Sequence, residues 1–439
     1  MRRQLNNGVL PQKNSIRIEE LINYFDYNYP LPQDKTKPFE PTVAVYPTPW
    51  NPNTQLLHIG IKGYDIAPEV KPRSNLVFLL DVSGSMNSQD KLPLLKNSMK
   101  MLVEHLDPND TVAIAVYAGA AGTVLEPTKV HEKGKIIAAL ERLQAGGSTA
   151  GAAGIKLAYS LARQNFDKEA VNRVILATDG DFNVGITNRE ELKSFIERKR
   201  ESGIFLSILG FGQGNYNDAL MQTLAQNGNG NAAYIDNLNE ARKVLVDEAS
   251  STLFPIAKDV KIQIEFNPAV VNDYRLIGYE TRMLKREDFN NDKVDAAEIG
   301  SGHTVTAIYE ITPVDAREKL IDPLRYKKAK ENAAAPKTTE IGFLKIRYKL
   351  PDSNTSTLIT KKIDDSLKIA EFDSIDTEMR FAAAVAGFGQ LLRQDPYTQN
   401  FSYKDIIAMA LAAKGADEFG YRSEFINLVR LANSTKSQM

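Results

Sequence analysis

Three periodicities succeed one another along the chain. Near the start, NSIRIEELINYFDYNYP sets Ile18, Leu21, Ile22 and Phe25 on one helical face behind an Asn/Ser cap, which predicts a helix. The proline-punctuated PLPQDKTKPFEP that follows reads as a linker. Between 40 and 64 the period falls to two: Val43 and Val45 alternate, as do Leu57, Ile59 and Ile61, predicting two strands about the turn PTPWNPN. From 74 to 254, fully apolar runs (NLVFLLDV, TVAIAVYA, RVILATD, IFLSILGFG, AAYID) alternate with helical patterns. Runs that apolar are buried on both faces, so a parallel sheet covered by helices is expected, with TVLEP at 123–127 as an antiparallel edge. From 256 to 365 the period is two again, in Val260, Ile262, Ile264 and Phe266, in Val305, Ala307, Tyr309 and Ile311, and in Leu344, Ile346, Tyr348 and Leu350. Three amphipathic helical stretches close the chain.

Two strands do not make a domain. The strands near 40–64 therefore have to complete the later β-pattern. The expected fold class is a doubly wound α/β domain inserted in a β-sandwich, with flanking helices, a multidomain α+β chain. The expected divisions are an N-terminal helical segment (1–39), a discontinuous β-sandwich (40–70 and 256–370), the inserted α/β domain (71–255) and a C-terminal helical region (371–439).

Composition narrows the function more than the fold. With 54 Lys and Arg against 55 Asp and Glu, the net charge of −1 gives no electrostatic case for nucleic acid. The absence of cysteine removes disulfides, thiolate metal sites and cysteine nucleophiles. No apolar run is long enough to span a bilayer. The four histidines, His58, His105, His131 and His303, are scattered, and His58 is expected on the outer face of the sandwich. No histidine-based triad is legible, so an enzyme is not expected.

Candidate chemistry gathers at the tips of the apolar runs. LLDVSGSM ends its strand on Asp81, Ser83 and Ser85; GGSTAG places Thr149 in a glycine-rich loop; ILATDGD ends on Asp179. Ligands of open α/β sheets bind outside the carboxyl ends of the strands, where strand order reverses. Three hydroxyls and two carboxylates suit a small hard cation such as Mg²⁺, and their two negative charges leave it a position open to an outside carboxylate. FLLDVSGSM, GGSTAG and ILATDGDFN resemble the metal-ion-dependent adhesion site of von Willebrand factor type A domains, over about 74–254.

That resemblance implies a Rossmann-like domain in which Ser83, Ser85 and Thr149 ligate Mg²⁺ (Mn²⁺ or Ca²⁺ being alternatives) directly, and Asp81 and Asp179 mostly through water. It also implies a protein partner whose Asp or Glu completes the shell. Beside the site, Gly147, Ser148, Asp181 and Asn183 are expected to form a partner-binding rim. Ala150 and Ala152 stand where related sequences often have Asn and Gly. NNGVLPQKNSIRIEELINYFDYNYP, PTPWNP and VKIQIEFNPAVVNDYRLIGYE resemble the flanks of a bacterial branch that is typically exported, often as lipoproteins. The expected setting is therefore the periplasm or outer cell surface, with a lipid anchor on an upstream segment, although MRRQLNNGVLPQKNS lacks signal-peptide features.

Other constellations compete. DFNNDKVDAAE spaces Asp288, Asn290 and Asp292 alternately, with Asp295 and Glu298 beyond, which is a Ca²⁺-wrapping pattern or a solvated acidic hairpin loop. Asp81 also resembles the nucleophile of haloacid-dehalogenase-type phosphatases, but Ser83 stands where their second acid is required. A further reading makes the chain a scaffold whose metal takes an acid from its own C-terminal helices, Glu378 or Asp417.

Overall fold

After a short helix α1 (Arg2–Asn6), the predicted N-terminal helix forms only as α2 (Ile18–Ile22). Beyond it, buried Phe25, Tyr27 and Tyr29 alternate with exposed Asp26, Asn28 and Pro30, the period of an extended segment. A hairpin follows, β1 (Phe39–Thr48) pairing antiparallel with β2 (Asn51–Gly63). The computed structural model describes all residues except 35, 67–70, 149–150, 181–188, 214–216, 281–284, 293–295, 320–338, 399–400 and 439, and the side chains of 152, 189, 250, 252 and 297. The chain divides into two compact units, Met1–Tyr64 with Ile256–Met439, and Asp65–Pro255.

The second unit begins at β3 (Ser74–Asp81) and runs through α3 (Leu92–His105), β4 (Thr111–Tyr117), β5 (Ala121–Lys129), α4 (Lys133–Glu141), α5 (Gly151–Gln164), β6 (Val171–Thr178), α6 (Arg189–Glu201), β7 (Ile204–Phe211), α7 (Asp218–Asn227), β8 (Ala232–Ile235), α8 (Leu238–Arg242) and α9 (Ala249–Leu253). Its sheet has the order β5-β4-β3-β6-β7-β8, parallel except for the edge strand β5, which is antiparallel. Every residue of β3 is buried. Leu76, Phe78 and Leu80 join a core with α3 and α4, while Val77 and Leu79 join another with α5, α6 and α7. That double burial is why NLVFLL carries no polar alternation. Strand order reverses at β3, with β4 on one side and β6 on the other, so the carboxyl ends of these strands flank the switch point.

The first unit adds β9 (Pro255–Phe266), β10 (Val271–Leu276), β11 (Ala297–Gly300), β12 (Thr304–Pro313), β13 (Glu340–Lys349) and β14 (Thr357–Asp364) to the hairpin. Two antiparallel sheets result, β1-β2-β12-β10 and β11-β9-β13-β14. Phe39 of β1 meets Tyr348 of β13 with ring centroids 5.1 Å apart, and Phe266 of β9 meets Tyr274 of β10 at 4.3 Å, so the sheets face each other as a sandwich. The chain ends in α10 (Thr377–Arg393), α11 (Tyr403–Ala412) and α12 (Tyr421–Ser437).

These helices do more than flank the sandwich. Ala44, Tyr46, Leu56 and Ile308, on the far face of the first sheet, share one core with residues of α2, α10, α11 and α12. The outer face is therefore covered. His58 lies on that face as expected, but fully buried rather than exposed: Tyr29 Oη is 2.7 Å from one ring nitrogen and Tyr46 Oη 3.2 Å from the other.

Candidate functional site

The site is built where β3 stops. Asp81 turns its carboxylate back on the chain, Oδ1 accepting the Ser83 N–H at 2.9 Å, an Asx turn that ends the strand locally. The turn brings the Ser83 and Ser85 hydroxyls to 3.0 Å of each other. Asp81 and Ser83 are buried and Ser85 is exposed.

The glycine loop is tied to this turn by its backbone. Gly84 N–H donates to Gly147 O at 3.0 Å, and Gly146 N–H donates to Val82 O at 2.8 Å. Gly147 has φ +81°, a conformation that favours glycine, and a Cβ there would also lie a tight 3.1 Å from the Gly119 nitrogen. Ser148 is exposed in the same loop. Thr149, which the sequence places next, and the rim residues Asp181 and Asn183 lie outside the described residues.

Asp179 follows β6 and is buried. Thr178, just before it, ties the two strand tips together: its hydroxyl donates to Asp81 Oδ2 at 3.4 Å and accepts the Gly180 N–H at 3.2 Å. Tyr117, at the end of β4, interacts with both Asp81 and Thr178. Burial pushes the Asp81 carboxyl above the usual carboxylate range; the Ser83 hydrogen bonds oppose this and the nearby Asp179 charge adds to it. Lys91, at the start of α3, closes the group. Its Nζ donates to Asp179 Oδ2 at 2.8 Å and to Ser85 O at 3.0 Å.

The structure thus brings together Asp81, Ser83, Ser85, Asp179 and the Gly147 loop. Sequence reasoning missed Lys91, Thr178 and Tyr117. Thr178 had a signal in its place beside Asp179; Lys91 reads in sequence as an ordinary helix-start charge. The candidate ligand atoms are all oxygen, and the Asp179 charge lies close enough to add to the proton affinity of the buried Asp81 carboxyl. That chemistry fits a hard divalent ion.

The second candidate, in the 288–298 loop, is arranged differently. Lys261 Nζ donates to Asp288 O at 3.3 Å and Asn291 O at 2.6 Å, while Lys349 Nζ donates to Asp292 O at 2.8 Å. Arg347 donates to the Asp292 and Asn290 side chains, each at 3.3 Å, and Ser356 also donates to Asp292. Protein cations and a hydroxyl thus already serve these oxygens, and the Ser356 bond and Arg347 hold the Asp292 carboxyl below its usual range. Glu298 lies on β11, and Asp295 lies outside the described residues. Among the described residues, neither this loop nor the Asp81 cluster, which has two acids, gathers three or more His, Asp or Glu side chains placed to hold an ion. Glu378 pairs with Arg422 and accepts the Asn28 N–H, and Asp417 accepts the Arg422 and Ser423 N–H groups.

A parallel sheet reversing at a strand that exits into Asp-x-Ser-x-Ser makes this a von Willebrand factor type A domain protein. The family model "von Willebrand factor type A domain" matches residues 75–247. Models described as "von Willebrand factor" and "Uncharacterized protein YfbK, C-terminal" match residues 1–58 and 251–435.

The chain belongs to the YfbK family: it is 45% identical over 439 residues to "Uncharacterized protein YfbK" of Escherichia coli (strain K12), covering 99% of this chain and 75% of that one. It is also 25% identical over 241 residues to human "Inter-alpha-trypsin inhibitor heavy chain H4", covering 52% of this chain and 26% of that protein. Among solved structures, "von Willebrand factor type A from Catenulispora acidiphila" matches with 14% identity and a TM-score of 0.47, covering 90% of this chain and 89% of that one. Such domains generally mediate protein–protein interaction. Among the described residues no helix is long and apolar enough to cross a membrane.

Proposed function

We propose that this protein is a metal-dependent protein-binding module of the bacterial cell envelope, which captures an acidic side chain of a protein partner at an open Mg²⁺ position. The observation that carries the reading is the all-oxygen cluster at the switch point: buried Asp81 and Asp179 at two strand exits, with the Ser83 and Ser85 hydroxyls beside them. Ser83, Ser85 and Thr149 would hold the ion directly, and Asp81 and Asp179 would act around it. The ion supplies a strong positive charge to which a visiting carboxylate binds. The chain's own residues hold the site in place: backbone hydrogen bonds tie the Gly147 loop to the Ser83 turn, and Thr178 and the Ser83 N–H orient the Asp81 carboxylate. Binding rather than catalysis is favoured because Ser83 stands where a phosphatase of the aspartyl type needs an acid.

The test is capture of partners from a cell-envelope extract. Mg²⁺ should support capture, and either chelation or Asp81→Ala should abolish it while the circular dichroism spectrum is kept. Capture that survives both treatments overturns the reading. The envelope setting and export rest on the resemblance of the flanks, and fractionation of cells carrying the full-length gene product tests them.

A further inference from the structure

The cluster holds a cation of its own. Lys91 contributes an ammonium whose two oxygen partners, Asp179 Oδ2 at 2.8 Å and Ser85 O at 3.0 Å, are hard donors of the kind a divalent ion takes. Both side chains are withdrawn from solvent, Lys91 to 14% exposure and Asp179 to 3%. The position is imposed by the fold. Lys91 caps α3, which fixes its backbone, and its stem runs over Gly212 in the turn after β7. A Cβ on Gly212 would lie 2.2 Å from Lys91 Cε and 2.5 Å from Cγ, so this glycine, at φ +74°, leaves room for the lysine to reach the cluster. Without a counter-charge, Asp81 and Asp179 would be two neighbouring buried carboxylates, an arrangement that strongly disfavours the folded, ionised state.

We propose that Lys91 is a built-in competitor for the metal: its ammonium holds Asp179 when no divalent ion is bound and yields that oxygen when one binds. The inference rests on the metal-binding reading above. It makes ion binding conditional, because the ion must displace a positive charge already in place. It also keeps the ion-free domain folded, because the lysine neutralises one of the two acids. The site then responds to the supply of divalent ion instead of carrying one permanently.

Direct Mg²⁺ titration by calorimetry, with Tb³⁺ luminescence as a second probe, tests this on the full chain without any partner. Lys91→Met should bind Mg²⁺ about tenfold more tightly than wild type, the order expected for removing one charge at this range in a partly screened site. Lys91→Arg should stay near wild type. Gly212→Ala, which keeps every charge but pushes the stem aside, should also tighten binding. In ion-free buffer Lys91→Met should melt at a lower temperature than wild type, with the difference closing as Mg²⁺ is added. Tight binding by Lys91→Met when wild type binds too weakly to measure would support the proposal as well. If wild type binds and Asp81→Ala does not, while Lys91→Met and Gly212→Ala bind no more tightly than wild type, the lysine proposal falls and the metal site stands. If neither wild type nor Lys91→Met binds, both fall.

Discussion

His58 shows how much one residue's chemistry depends on what covers it. It carries a titratable ring on a face that the helices bury completely, with Tyr29 and Tyr46 as its partners. Burial lowers its pKa from 6.5 to about 3, so the ring stays neutral in the folded protein. The unfolded chain takes up a proton near pH 6.5 and the folded one only near 3. The stability associated with the neutral ring is therefore complete above about 6.5, falls as the pH drops, and is gone by about 3. Between pH 7 and 5 the loss is on the order of 2 kcal/mol, from about 1.5 pH units at 1.36 kcal/mol each. Urea denaturation should show wild type losing that stability over this window. His58→Gln should be less stable at pH 7 but have a flatter profile.

At the scale of elements, α10 sets the closest packing. Residues Phe381 to Gln390 are buried without interruption, a run of mostly small side chains inside the helical layer. A Cβ on Gly389 would come within 3.0 Å of Ile18 on α2, and one on Gly387 within 2.7 Å of the Phe401 ring. In an exposed helix, replacing glycine with a better helix former would stabilise by up to about 1 kcal/mol. Here overpacking outweighs propensity, so Gly389→Leu should destabilise by about 1–3 kcal/mol, measured by chemical denaturation, even though leucine is the better helix former.

Element-level reading of the sequence succeeded where the buried faces were apolar and faltered where a buried face was polar. In β12 the alternation Val305, Ala307, Tyr309, Ile311 identified a strand, but the intervening Thr304, Thr306, Glu310 and Thr312 are the more buried set. They tolerate burial because they find partners: Thr306 with Tyr29 at 2.7 Å, Thr312 with Asp273 at 2.7 Å, and Glu310 with Thr54 at 2.7 Å, with Trp50 at 3.2 Å and with Arg275. A polar side of a strand reads as solvent-facing until those distant partners are known.

For the whole molecule, each unit has a hydrophobic core of its own. The candidate metal site lies wholly within the α/β unit. Differential scanning calorimetry of the full chain should therefore resolve two transitions. Mg²⁺ should raise one of them, by an amount that grows with ion concentration as mass action requires, and leave the other unchanged. Asp81→Ala should remove the ion-dependent shift. A single transition moving as one body with Mg²⁺ would contradict an ion effect confined to one unit.

The sequence alone determined the alternation of buried strands and helices in the insert and the return to a two-residue period on either side of it. It also determined the appearance of Asp81, Ser83, Ser85 and Asp179 at strand exits, because backbone periodicity and local turn chemistry are written in neighbouring residues. Tertiary structure decided what those residues meet. Lys91 reaches Asp179 across 88 positions, Tyr29 reaches His58 across 29, and the helical layer turns a polar sheet face into core. Such partnerships follow from which surfaces pack together, and packing depends on complementary shape and charge between segments far apart in the chain, which no local pattern encodes.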